Sequence, residues 1–161
     1  ATLALALLVA GTDFDRRCGD GGNVRRTGLY LALGRQLAAM TPAGAGVLAG
    51  EVGALAWAMP NQRVIDSAGI NSPEVYTARH ADHERLLAAG QLGNLREGSA
   101  DWVRAVIADT RPMLLVTYTP WLHIKALEQD AAFLARYARL DWPEAPRIKV
   151  YRRRDDVPPD P

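Results

Sequence analysis

The side chains of this sequence that could do chemistry fall into three groups. Asp13-Phe14-Asp15 places two carboxylates on alternate residues, a spacing that can clamp a hard divalent cation under a sugar diphosphate, but in a glycine- and aspartate-rich stretch it reads first as part of a polar loop. His80, Asp82, His83 and Glu84 form the densest set of potential ligands, and His80 and His83 would share one helix face at i and i+3. They lack the spacing and general-base glutamate of HExxH, and no third ligand is identifiable, so the expectation is a solvated helix face and no bound metal, with His80 and His83 the weaker metal candidates. The third group is Glu51 and Asp66, each following a short apolar run that reads as a strand. In an open parallel sheet both would lie at the carboxyl edge, where such folds bind their ligands. Asp66 could instead serve the backbone amides of its own turn, Ser67-Ala68-Gly69, and Glu51 could do the same locally.

Other familiar chemistry is missing. Gly44-Ala45-Gly46 precedes a strand, the wrong order for a dinucleotide cradle, and Gly19-Asp20-Gly21-Gly22 has no lysine at the P-loop position. Ser67, Ser72 and Ser99 sit in no GxSxG elbow. Cys18 is the single cysteine, so an intrachain disulfide is excluded, and with no histidine close in sequence it reads as an idle thiol.

The elements that must position these groups follow from hydrophobic period. Over residues 24–40, Leu29, Leu33, Leu37 and Met40 recur at three- and four-residue steps, the mark of a helix with one buried face. Val47-Leu48-Ala49 reads as a strand, residues 51–57 as a tight turn or helical segment, and Arg63-Val64-Ile65-Asp66 as a second strand. Ser72-Pro73-Glu74 signals a helix start, with serine as cap, proline in the first turn and glutamate at the positive end of the dipole; Gly90 stops that helix. A helix from Ser99 or Asp101 to Asp109 carries Trp102, Val103, Val106 and Ile107 on its apolar side, and residues 113–118 form the best strand. Residues 120–140 read as one long helix with Leu127, Ala131, Leu134 and Ala138 in line, and residues 147–152 as an edge strand. Strands alternating with helices predict one α/β domain, a small, mostly parallel, Rossmann-like sheet flanked by helices, over residues 24–154.

With 161 residues, 48% of them hydrophobic, the chain can bury a core without disulfides or metal. Its 19 Lys+Arg against 18 Asp+Glu leave a net charge of +1, no footprint for a nucleic-acid binder. Basic residues cluster at Arg16-Arg17, Arg25-Arg26 and Arg152-Arg153-Arg154, where they read as solvated side chains or as contacts to anionic lipid headgroups. Residues 1–10 are apolar except for Thr2, shorter than the roughly 20 residues of a full span. They read as the end of a transmembrane helix or as a buried strand or helix start, followed by a polar linker to residue 23, while residues 155–161 read as a flexible tail.

Two stretches, Glu51-Val52-Gly53-Ala54-Leu55-Ala56-Trp57 and Arg63-Val64-Ile65-Asp66-Ser67-Ala68-Gly69-Ile70-Asn71-Ser72-Pro73-Glu74, resemble the soluble carboxyl-terminal portions of bacterial GT-C membrane glycosyltransferases of the mannosyl- and arabinosyltransferase-like kind. Gly34-Arg35-Gln36-Leu37 and Thr41-Pro42-Ala43-Gly44-Ala45 are similar to the helix and link that precede them there, and the likeness covers residues 27–80. The resemblance implies an extracytoplasmic accessory domain at the bacterial plasma membrane, attached to the transmembrane part of its own full-length chain. It would assist binding of a glycan or glycolipid acceptor, with no cofactor and no catalytic residue of its own. Glu51, Asp66, Asn71 and Ser72 are the surface groups expected to meet sugar hydroxyls. The alternative is a free-standing α/β enzyme or small-ligand binder that uses the Glu51/Asp66 edge.

Overall fold

The computed structural model describes residues 22–91, 98–118 and 121–154. The expected features at residues 1–21, which include Asp13, Asp15 and Cys18, and at residues 155–161 lie outside the described residues. In chain order the elements are α1 (Gly22–Ala39), β1 (Gly46–Ala49), α2 (Val52–Ala58), β2 (Arg63–Asp66), α3 (Pro73–Ala88), α4 (Asp101–Thr110) and β3 (Leu114–Tyr118). A 3-10 turn at Trp121–His123 leads to α5 (Ile124–Leu127), α6 (Ala131–Arg136), β4 (Tyr137–Leu140) and β5 (Ile148–Arg153).

The five strands make one open sheet in the order β2-β1-β3-β5-β4. Strand β1 is parallel to both β2 and β3, with Leu48 opposite Ile65 on one side and Leu115 on the other. Strand β5 then pairs antiparallel with β3 and with β4. The sheet is therefore mixed, two parallel pairings and two antiparallel ones, and the parallel arrangement expected from sequence holds for β1, β2 and β3.

Period-two alternation divides the strand side chains between two apolar layers. Val47 and Ala49 of β1 and Leu114 and Val116 of β3 pack with Tyr30, Leu33 and Leu37 of α1 and Leu55 of α2. Leu48 and Leu115 point the other way, into Val75 of α3, Val103 and Val106 of α4, Ile124 and Leu127 of α5 and Phe133 of α6. Helices thus cover both faces. Helices α1 and α2 approach closely because Gly34 has no side chain: a Cβ there would stand 2.6 Å from that of Ala58. The stripe expected on α1 is buried at Leu33 and Leu37, while Met40 lies past the helix end and is exposed.

Two expectations for the second half are corrected. Residues 120–140 do not form one helix. Leu122 and His123 adopt left-handed φ values of 57° and 48°, Asp130 restarts the chain by accepting the Ala132 and Phe133 amides, and Tyr137 turns extended to pair with Arg153. Its apolar line was a mixture: Leu127 is buried, whereas Leu134 is exposed. Strand β5 is not at an edge either, since β4 covers its outer side; that pairing brings Tyr137 and Tyr151 onto Phe133, with ring centroids 4.9 and 5.2 Å away.

Candidate functional site

The order β2-β1-β3 makes β1 a switch point. Leaving β1, the chain enters α2 on one face of the sheet; beyond β3 it reaches Leu122 and α5 on the other. Connections that part in this way open a crevice at the carboxyl ends of the two strands. Gly50 stays tied to β3 by donating its amide to the Val116 carbonyl at 2.9 Å, and Glu51 follows as the first residue ahead of α2. Tyr118 ends β3, and α1 contributes Arg26 and Tyr30.

Glu51 meets Arg26 at 3.1 Å, with both side chains about one-third exposed. That contact engages one carboxylate oxygen. The other, Oε2, is buried without a hydrogen-bond partner, and so is the hydroxyl of Tyr30, a fully buried residue. Burial, then the negative charge of Glu51, push the Tyr30 hydroxyl well above the ordinary phenol range, and Arg26 offsets only part of this. Tyr118 is half-buried, and its hydroxyl accepts from Arg147 at 3.0 Å. Around this switch point the chain therefore brings together an idle acceptor, an idle donor, a cation and a second phenol.

Asp66 ends β2 opposite Ala49, the last residue of the parallel strand β1, and Glu51 follows two residues beyond Ala49. Their side chains do different things. The Asp66 carboxylate accepts from the amides of Ala68 at 2.8 Å and Ile70 at 3.2 Å, closing the turn that Gly69 passes at φ +78°. Ser72 accepts the Asp66 amide at 2.8 Å and makes no side-chain cap to α3, contrary to its expected role as a capping hydroxyl. Asp66 and Ser72 are both buried, so neither is the surface group that the sequence suggested; Asn71 is exposed on the same loop.

His80 and His83 are exposed on α3 and line a cleft of about 260 Å³ together with Tyr76, Arg79, Asp82 and Trp102. Among the described residues no three His, Cys, Asp or Glu side chains are grouped so as to hold a metal. No described helix is long and apolar enough to cross a membrane.

Residues 22–157 match the family model described as a domain of unknown function, DUF8728. The chain belongs to this family. No curated protein and no solved structure matches it.

In this DUF8728 domain, sequence reasoning found Glu51 and missed its neighbours. Arg26 was grouped with Arg25 as a solvated or lipid-facing doublet, yet it turns inward to Glu51. Tyr30 had a usable signal. It interrupts an otherwise aliphatic helix stripe with a hydroxyl, and a buried phenol needs a partner. Tyr118 carried no signal beyond its place at the end of the best strand.

Proposed function

We propose that this domain is the extracytoplasmic accessory domain of a lipid-phosphate-sugar-dependent GT-C membrane glycosyltransferase, and that it assists acceptor binding by holding a neutral glycan in the β1/β3 crevice. The parallel half of the sheet would then work as Rossmann-like sheets do, at the switch point. One observation carries this reading: the Tyr30 hydroxyl and Glu51 Oε2 are both buried without a hydrogen-bond partner beside the β1/β3 switch point, close enough for the Glu51 charge to act on Tyr30. A sugar hydroxyl both donates and accepts, so vicinal hydroxyls can satisfy such a pair together. Arg26, paired to Glu51, leaves this pair without net charge, which favours an uncharged acceptor over the anionic donor lipid. The stretches around Glu51 and Asp66 that resemble the transferases support the same assignment, with the transmembrane part of the chain as the other partner.

The test is titration calorimetry of the domain with mannosides and arabinosides, beside its Glu51→Gln variant. Glu51→Gln removes a charge-assisted hydrogen bond, a loss of about 1.5–3 kcal/mol, so affinity falls at least tenfold. Equal affinity of the two proteins, or no binding by either, rejects the assignment. A reading frame with several apolar spans upstream of Ala1 would support the transferase context independently.

A further inference from the structure

The cleft between α3 and α4 lies on the opposite face of the sheet from α1 and α2, and its free hydrogen-bonding capacity is one-sided. Asp82 is the acid that lines it, and both its oxygens are committed. Oδ1 accepts from Arg85 at 2.7 Å and from the Ser99 hydroxyl at 2.6 Å, while Oδ2 accepts the Ser99 amide at 2.7 Å. Arg79 stands three residues before Asp82 on the same helix, the spacing at which the two would otherwise pair. Arg85 and Ser99 have taken that carboxylate, so Arg79 has no acidic partner among the described residues.

Arg79 is nevertheless held in place. Its guanidinium lies over the Trp102 ring, 5.3 Å from the centroid, and one Nη1–H donates to the Ala68 carbonyl at 3.3 Å. Ala68 is itself fixed by the Asp66 carboxylate, so the turn at the end of β2 anchors the arginine. A guanidinium has five donors and no acceptor, and stacking fixes its plane while the remaining N–H groups stay available. Beneath it Trp102, only 6% exposed, keeps an indole N–H without an acceptor. His80 and His83 add ring nitrogens from α3, and Tyr76, 63% exposed, tilts against His80 with ring centroids 6.1 Å apart.

We infer that this cleft is a binding site for a small oxyanion, a carboxylate or phosphate group seated on the stacked Arg79 guanidinium. The volume suits such a ligand: about 260 Å³ leaves room for a small anion together with several waters. A neutral glycan is a poorer match than in the β1/β3 crevice, because the cleft lacks an idle carboxylate. The site stands whether or not the crevice binds sugar.

The experiment is a ¹H–¹⁵N titration of the domain with inorganic phosphate and, separately, with succinate, at an ionic strength held constant with sodium chloride. The indole resonance of Trp102 reports on the cleft floor. The expected result is a saturable shift with at least one of the two anions, weakened tenfold or more in Arg79→Ala and several-fold in Arg79→Lys, which keeps the charge but loses the fork. Which anion saturates tells whether the site prefers phosphate or carboxylate. Shifts that stay linear with both anions, or a dissociation constant unchanged in both variants, overturn the inference. Arg79 is exposed, so the variants fold, and the lysine variant covers any loss of packing on Trp102.

Discussion

Tyr30 and Tyr137 offer a paired perturbation that separates a hydroxyl kept for function from one kept for structure. Both phenols are buried, but the Tyr137 hydroxyl donates to the Pro112 carbonyl at 2.9 Å, whereas the Tyr30 hydroxyl has no partner. Tyr137→Phe therefore deletes a buried hydrogen bond, a loss of about 1 kcal/mol. For a domain of this size that lowers the melting temperature by about 4 °C. Tyr30→Phe deletes no bond and relieves the burial of an unsatisfied donor, a group whose desolvation costs about 1–3 kcal/mol. Its melting temperature is expected to equal or exceed that of the unaltered domain, while glycan affinity falls. The pH dependence has a definite sign. The Tyr30 hydroxyl is raised above its unfolded value, so the unaltered protein keeps its stability below a pH of about 10 and loses it as the pH climbs toward the folded value. Tyr30→Phe lacks that term, and its advantage must widen above pH 10. The Tyr137 hydroxyl, pushed up to about 12 chiefly by burial, follows the same direction, so Tyr137→Phe narrows its deficit in base. Differential scanning calorimetry at pH 7 and pH 11 measures both. A Tyr30→Phe protein destabilised as much as Tyr137→Phe would show that the Tyr30 hydroxyl is structurally engaged, and the case for a donor held unpaired beside Glu51 would fail.

Two further variants probe the frame around the sites. Asp82→Asn weakens the two bonds from Ser99 that tie α3 to the start of α4, and chemical denaturation is expected to show a loss of about 2 kcal/mol at neutral pH. Burial alone would raise this carboxyl, but Ser99 and Arg85 together hold it below its ordinary value. Its contribution is thus present above the unfolded value and fades as the pH falls through the folded one, so the variant and its parent should converge in strong acid; a gap independent of pH would contradict the ionic role. Gly34→Ala improves intrinsic helix propensity by about 1 kcal/mol, yet the new Cβ would stand 2.6 Å from that of Ala58. A net destabilisation of about 1–3 kcal/mol is expected from the separation of α1 and α2, measured as a lower denaturation midpoint, and an unchanged or higher midpoint would show that the helices shift apart freely.

How far the sequence reveals this fold depends on the range of the interaction. Residues 63–66 are a strand from end to end as read, and α3 starts at Pro73 and stops before Gly90, which takes φ +68°, because caps and turns are local. The break at Leu122 and His123 has no such mark: neither residue is a glycine, and only packing of Leu122 and Ile124 under the sheet explains why the chain bends there. The inner position of β5 was equally hidden. It depends on β4 arriving from a stretch, Tyr137–Leu140, whose alanine, arginine and leucine are good helix formers that pairing overrides. At the site the division is the same. Glu51 and Asp66 are legible as acids after strands, but that Arg26 and Tyr30 join Glu51 follows from how α1 lies across the sheet, twenty-odd residues away in sequence.

The contrast between those two acids also explains why one rim residue is structural and its neighbour is not. Beyond Asp66 the chain turns through Gly69, so the amides of Ala68 and Ile70 fall within reach of a short carboxylate, and both oxygens are consumed. Beyond Glu51 the chain enters α2 at once, and Glu51 sits at the N-cap without making a side-chain cap bond. A serine or aspartate at that position would stabilise the helix by about 1 kcal/mol. Glutamate is a methylene longer than aspartate; here its carboxylate turns to Arg26 and one oxygen stays idle. Forgoing the cap while burying an unsatisfied oxygen is locally unfavourable on both counts. Residues that break local rules in this way cluster where a protein binds something, and in the parallel half of this sheet the breach falls at the switch point, beside a second unsatisfied group on Tyr30.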